Sequence, residues 1–197
     1  MPTAKVLAFA GSLRTGSFNK MLVRIAAQGA RDAGAEVTLI DLRDYALPIF
    51  DEDLEKSDGL PANGRRLKDL FLAHNGLIIS APEYNSSISA VLKNTIDWVS
   101  RPTNNPDGTP ERPLQCFEHK IAGLLAASPG ALGGIRGLPE LRRILGNIKV
   151  TVLPEQFALM KAGDSFDATG NLKDPKQQAS AKAVGAAVTR IVQKLQA

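Results

Sequence analysis

The chain has 197 residues, 44% hydrophobic and 22% charged, a globular balance that suits one domain over residues 1–197 with its own core. Its net charge of +4 comes from 24 basic and 20 acidic side chains, scattered with no stripe through the seven Phe, two Tyr and one Trp. That pattern speaks against a nucleic-acid partner and suits a small anionic ligand.

One cysteine, Cys116, excludes an internal disulfide and a multi-cysteine metal centre, and two histidines, His74 and His119, leave little for any other metal site. No apolar run approaches the ~18–20 residues of a membrane span. The first residues lead straight into an apolar strand without the plan of a signal peptide, so a cytoplasmic, metal-free protein is expected.

Residues 5–10 (Lys-Val-Leu-Ala-Phe-Ala) are a short apolar run closed by Gly11, the mark of a buried strand. A helix follows over about 17–34, with Met21, Leu22, Ile25 and Ala26 at helical spacing and Gly34 as its stop. Residues 36–40 form a second strand. Residues 43–61, with Pro48, Gly59 and Pro61 among many acids, read as a long surface connection. A helix at about 62–74 leads to a third strand at 76–80.

Residues 88–99 are helical, with Ile88, Val91, Leu92, Ile96 and Val99 on one face. Four prolines make 101–113 a loop. A fourth strand at 120–127 precedes a helix at about 135–147, whose first turn accommodates Pro139. A fifth strand at 149–153, an irregular stretch around 163–171 and a helix at 174–195 complete the chain. Strands that are continuous apolar runs and alternate with helices imply a parallel, doubly wound α/β sheet. Ligands in such sheets lie beyond the carboxyl ends of the strands, which directs attention to the loops after strands one, three and four.

The first loop is Gly11-Ser12-Leu13-Arg14-Thr15-Gly16-Ser17-Phe18-Asn19. Leu13 breaks the dinucleotide-binding glycine pattern, and the lysine of a nucleotide-hydrolysing P-loop is missing after Gly16. Hydroxyls, one arginine and one amide remain, gathered at a helix start that has no acid before Asp32. A phosphate monoester fits that donor set, with Arg14 gripping two oxygens and Ser12, Ser17 and Asn19 completing the shell. The plainer alternative makes Ser17 an N-cap and Arg14 a surface residue.

The second loop, Pro82-Glu83-Tyr84-Asn85-Ser86-Ser87, offers donors and one aromatic on a stiff turn, or simply a cap from Asn85 or Ser86 with Trp98 as core. The third, Ser128-Pro129-Gly130-Ala131-Leu132-Gly133-Gly134, is either a glycine-lined approach to a flat ligand or a flexible connection.

Together these motifs, with Leu92-Lys93-Asn94 and Asp97-Trp98, resemble the NADPH-dependent FMN reductase family, which includes quinone, chromate and azo reductases. The resemblance implies a flavodoxin-like five-stranded parallel sheet of order 2-1-3-4-5 that binds FMN. Ser12, Arg14, Ser17 and Asn19 would hold the FMN phosphate, with Phe18 among them in the same cofactor site. Pro82, Glu83, Tyr84 and Asn85 would line the flavin ring, and Ser128 and Gly130 would lie beside the ribityl chain and ring.

NADPH or NADH would reduce the flavin and a small-molecule electron acceptor would reoxidise it on the same face, in ping-pong order. No side chain is needed as a catalytic base, and Tyr84 is the residue placed to touch bound nicotinamide or acceptor. A homodimer or homotetramer is implied, with the helix carrying Trp98 and Arg101 as an interface element. Arg101 or Arg14 is also a candidate for recognising a 2′-phosphate. The family usually has proline where this chain has Ser89, which implies a small loss of rigidity. A flavodoxin-type electron carrier and a redox-inactive phosphate-binding module are the rival readings, and the positive charge counts against the first.

Overall fold

The first strand, β1 (Lys5–Ala10), forms where the apolar run predicts, and every residue after Lys5 is buried. In a computed structural model that describes residues 3–105 and 107–196, the chain then enters α1 (Phe18–Asp32). Met1 and Pro2 of the expected lead-in, Pro106 of the proline-rich loop and Ala197 lie outside the described residues. Gly34 stops α1 as expected: its φ is +91° and its N–H donates to Arg31 O at 2.9 Å. β2 (Glu36–Asp41) follows.

The stretch 43–61 is more ordered than its prolines suggest. A 3-10 turn at Leu42–Tyr45 is capped by Asp41, and α2 (Glu52–Asp58) is capped by Asp51, whose carboxylate accepts from Asp53 N at 2.8 Å. α2 buries none of its residues, so no apolar periodicity could reveal it.

Then come α3 (Ala62–Ala73) and β3 (Gly76–Ser80). A two-stranded hairpin, β4 (Glu83–Tyr84) with β5 (Ser87–Ile88), occupies the expected loop and takes Ile88 from the start of the expected helix. Asn85 (φ +52°) and Ser86 (φ +66°) make its two-residue turn, the left-handed pair such hairpins require. α4 (Ala90–Ser100) is capped by Ser89 rather than by Asn85 or Ser86.

β6 (Ile121–Ala127), α5 (Gly137–Asn147) and β7 (Thr151–Leu159) complete the sheet, followed by the short α6 (Ala162–Ser165) and by α7 (Pro175–Gln196). β7 runs well past residue 153 because it is an edge strand, where Pro154 costs no ladder bond, and a register shift opposite Ala122 and Leu124 absorbs the irregularity.

All pairings in the main sheet are parallel and its order is β2-β1-β3-β6-β7, the order 2-1-3-4-5 that was expected. α1 and α7 cover one face, packing Leu22, Ala26, Val184 and Val188 on Val6, Ala8, Ile78 and Leu125. α3, α4 and α5 cover the other, with Phe71, Leu92 and Leu141 on Leu7, Phe9, Ile79 and Leu124. The proline-rich loop is anchored to the second layer by Glu111. Its buried carboxylate pairs with buried Lys68 at 2.5 Å and with Arg65 at 2.9 Å. With both faces sealed, the carboxyl ends of β1, β3 and β6 are the open edge.

Candidate functional site

The loop after β1 is pinned at its start from two sides. Gly11 N donates to Ser80 O at 2.9 Å, and Gly11 O accepts from Ser89 Oγ at 2.6 Å. Ser89 also accepts from Leu92 N at 3.3 Å, so its hydroxyl caps α4 and ties it to the loop. Ser12 and Ser17 are buried, yet both line one depression. Ser17 stands at the N-cap of α1 but its side chain makes no cap bond, and the first turn carries no acid. The N–H groups of Phe18, Asn19 and Lys20 therefore have no intrahelical carbonyl to pair with.

Asn19 lines the same depression, and its side chain is bonded to the scaffold. Its Nδ2 donates to Ala127 O at 2.9 Å, and its Oδ1 accepts from Ala127 N at 3.0 Å and Ser80 Oγ at 2.9 Å. The side chain thus staples α1 to β3 and β6. Arg14 is exposed, its guanidinium 5.0 Å above the centre of the Phe18 ring, which in turn stacks on Phe166 at 6.1 Å.

The hairpin supplies the second wall. Pro82 is buried and lines the depression, and Tyr84 stands at its rim, largely exposed. Glu83 also lines the depression, while its carboxylate turns away and caps α5. Oε2 accepts from Arg136 N at 2.9 Å and Gly137 N at 3.2 Å, while Oε1 takes the Arg136 guanidinium at 2.6–2.8 Å. The sheet's backbone can still present Glu83 to a ligand, but its charge serves the helix N-terminus. Asn85 forms the hairpin turn, beyond the residues that line the depression.

Ser128 closes the third side with Ala127 and Pro129, its Oγ accepting from Gly130 N at 3.1 Å. Gly130 itself points elsewhere: its carbonyl takes Lys161 N at 3.2 Å. The glycines beyond it face protein, not ligand. A Cβ on Gly133 would lie 2.8 Å from the Leu159 carbonyl carbon, and its φ is +62°.

The structure therefore brings Ser12, Arg14, Ser17, Phe18, Asn19, Pro82, Glu83, Tyr84 and Ser128 around one cavity of about 290 Å³, and leaves Asn85 and Gly130 outside it. A larger groove of about 390 Å³ runs between the 3-10 turn and α4, away from these loops except at Leu13.

Other residues bear on the site unannounced by any motif. Arg43 donates to Leu13 O and, at 3.0 Å, to Thr15 Oγ1. Asp41 receives Lys20 at 2.6 Å. Burial alone would raise the Asp41 pKa, but the bonds from Lys20 and Arg43 N outweigh it and hold the carboxyl below its ordinary value. On α4, Trp98 is wholly buried, donating to Pro48 O at 2.8 Å, and at its end Arg101 is paired with Glu55 at 2.7 Å and stacked on Phe50.

Chemically, the cavity suits a phosphate monoester with a flat extension. It joins an acid-free helix N-terminus, two buried hydroxyls and a cation, while its one carboxylate is already neutralised by Arg136. Its volume is at the low end for small-molecule pockets, so part of a larger ligand would stay exposed beside Tyr84. Among the described residues no helix is long and apolar enough to cross a membrane, and no group of three or more His, Cys, Asp and Glu could hold a metal.

Comparison with known proteins gives a consistent picture. The family described as NADPH-dependent FMN reductase matches residues 4–164. The chain is similar to an NAD(P)H-dependent FMN reductase of Pseudomonas aeruginosa, with 36% identity over 173 residues, 87% of this chain and 86% of that one. It is 35% identical to a quinone reductase of Escherichia coli over 144 residues, 72% of this chain and 69% of the other. Among solved structures, the flavoenzyme NAD(P)H:(acceptor) oxidoreductase FerB of Paracoccus denitrificans shares the fold, with a TM-score of 0.77, 24% identity and 98% of each chain covered.

Proposed function

Because the chain belongs to the NADPH-dependent FMN reductase family, we propose that it uses FMN to pass two electrons from NADPH or NADH to a small-molecule acceptor. Quinone, chromate, an azo compound or a free flavin is the acceptor class, and the order is ping-pong. The observation that carries the reading is the uncapped, acid-free N-terminus of α1 opening with buried Ser12 and Ser17 into the cavity beside Pro82, Tyr84 and Ser128.

In this reading the first-turn N–H groups of α1, the hydroxyls of Ser12 and Ser17 and the Arg14 guanidinium hold the phosphate. Pro82, the Glu83 backbone and Ser128 line the ring from two sides. Bound there, FMN supplies the two-electron chemistry that no side chain of this chain can. Backbone N–H groups of the hairpin stabilise negative charge that develops on the ring. Tyr84 borders the open side, which nicotinamide and acceptor must share in turn. Exposed Leu13, Tyr84, Leu132 and Ile135 on or beside these loops support a second copy covering the mouth, as a homodimer or homotetramer. The reading takes residues 1–197 as one flavin-binding domain, and its need for reduced nicotinamide places it in the cytoplasm.

An anaerobic visible spectrum with added FMN, before and after NADPH or NADH, tests the proposal. Bleaching of the flavin band that a quinone restores is expected. Bound flavin that neither nicotinamide bleaches would favour the electron-carrier reading, and failure to bind FMN would refute both.

A further inference from the structure

The loop that begins α1 is held from outside by a residue that does not line the cavity. Arg43 lies in the 3-10 turn after β2, exposed, and is not among the cavity's lining residues. Its Nη2 donates to Leu13 O and its Nη1 to Thr15 Oγ1 at 3.0 Å, so one planar fork spans the middle of the loop. Asp41 sets the fork's position, because its Oδ1 accepts from Arg43 N at 3.0 Å and caps the turn. The other oxygen of Asp41 takes Lys20 at 2.6 Å, which anchors the same carboxylate to the first turn of α1.

The consequence follows from peptide geometry. In a trans peptide the carbonyl and the next N–H point in opposite directions, and no cis bond occurs among the described residues. Holding the Leu13 carbonyl toward Arg43 therefore turns the Arg14 N–H to the other side. There it donates to Ser12 Oγ at 3.4 Å, which leaves that hydroxyl's own proton to be given to a ligand in the cavity Ser12 lines. If the 13–14 peptide rotated, its carbonyl oxygen would turn toward Ser12 Oγ and take the hydroxyl proton that an anion needs. Glycine at 16 and the exposed, apolar Leu13 supply no brace of their own.

We propose that Arg43 is a positioning residue for the phosphate end of the flavin site: it fixes the 13–14 peptide, whose N–H in turn orients the Ser12 hydroxyl to donate to the bound phosphate. The inference rests on the flavin reading above. It predicts an effect confined to ligands that carry a phosphate, because Arg43 touches no other wall of the cavity.

The test compares FMN with riboflavin, which shares the ring and ribityl chain but lacks the phosphate. Affinities of both for the wild-type chain, Arg43→Ala and Arg43→Lys are measured by flavin fluorescence quenching, with thermal unfolding as the check on folding. Arg43→Ala is expected to fold and to bind FMN about five- to tenfold more weakly, the worth of one ordinary hydrogen bond, with riboflavin unchanged. Arg43→Lys, which keeps a single-point donor, should recover part of the loss. Equal weakening of both flavins, or FMN affinity within twofold of wild type, would overturn the assignment. Wild-type chain that binds neither flavin would overturn the functional reading itself, an outcome separate from any difference among the variants.

Discussion

Replacing Glu83 with alanine should unfasten the β4–β5 hairpin from α5. The Glu83 side chain is only 7% exposed and receives Arg136 N, Gly137 N and the Arg136 guanidinium. Losing a helix cap costs about 1 kcal/mol, and bonds to a charged acceptor are worth about 1.5–3 kcal/mol. Arg136 is 56% exposed, so solvent screens the ion pair and it adds at most a fraction of a kcal/mol. A total near 2–3 kcal/mol follows, or a fall in Tm of about 4–12 °C for a chain of this size. Glu83→Gln keeps an oxygen for the two N–H groups and should lose only about 1 kcal/mol.

Urea unfolding gives the free energies, and hydrogen exchange locates the change, which should appear at residues 83–88 and in the first turn of α5. Were the carboxylate instead a charge against the flavin ring, the Gln variant would shift the bound flavin's potential and leave unfolding unaltered. That result, or an Ala variant within about 0.5 kcal/mol of wild type, would refute the capping argument.

Further outcomes follow from the same structure. Glu111→Gln strands buried Lys68 and should cost about 3–5 kcal/mol at neutral pH. Burial pushes the Glu111 pKa up, but Lys68 and Arg65 outweigh it and hold it below 4.5; the pair's contribution is therefore complete above that pH and lost as pH falls through the lower folded value. The Gln variant should flatten this acid slope, and an unchanged slope would contradict it. Ser89→Ala should lose about 1–2 kcal/mol through the cap and the Gly11 bond, whereas Ser89→Pro, whose φ suits the observed −69°, should lose less; unfolding midpoints in the reverse order would be inconsistent with this. Burial raises the Cys116 thiol to about 11, so about one thiol in a thousand is ionised at pH 8. Iodoacetamide should label it slowly in the native chain and readily in urea, and rapid native labelling would show that it is not buried.

Sequence alone carried the layered α/β plan, because burial of strands on both faces writes itself as continuous apolar runs such as 5–10 and 76–80, and helices write theirs as spaced apolar residues. It also marked the three loops, since their chemistry depends on residue types at a strand's end. What it could not read were features without a periodic signal. α2 buries nothing, the hairpin is two residues per strand, and β7 continues through a proline that only an edge position tolerates.

The direction of each polar side chain was decided by tertiary structure. Asn19 and Glu83 carry the right chemistry for a ligand, but Ala127 and the α5 N-terminus lie nearer and claim it. Arg43 is 30 residues from the carbonyl it holds, and nothing local in the chain announces the bond. Composition and spacing select which groups can meet a phosphate. Only folding determines which of them remain free to do so, because a buried polar group takes whichever partner the packing brings within reach.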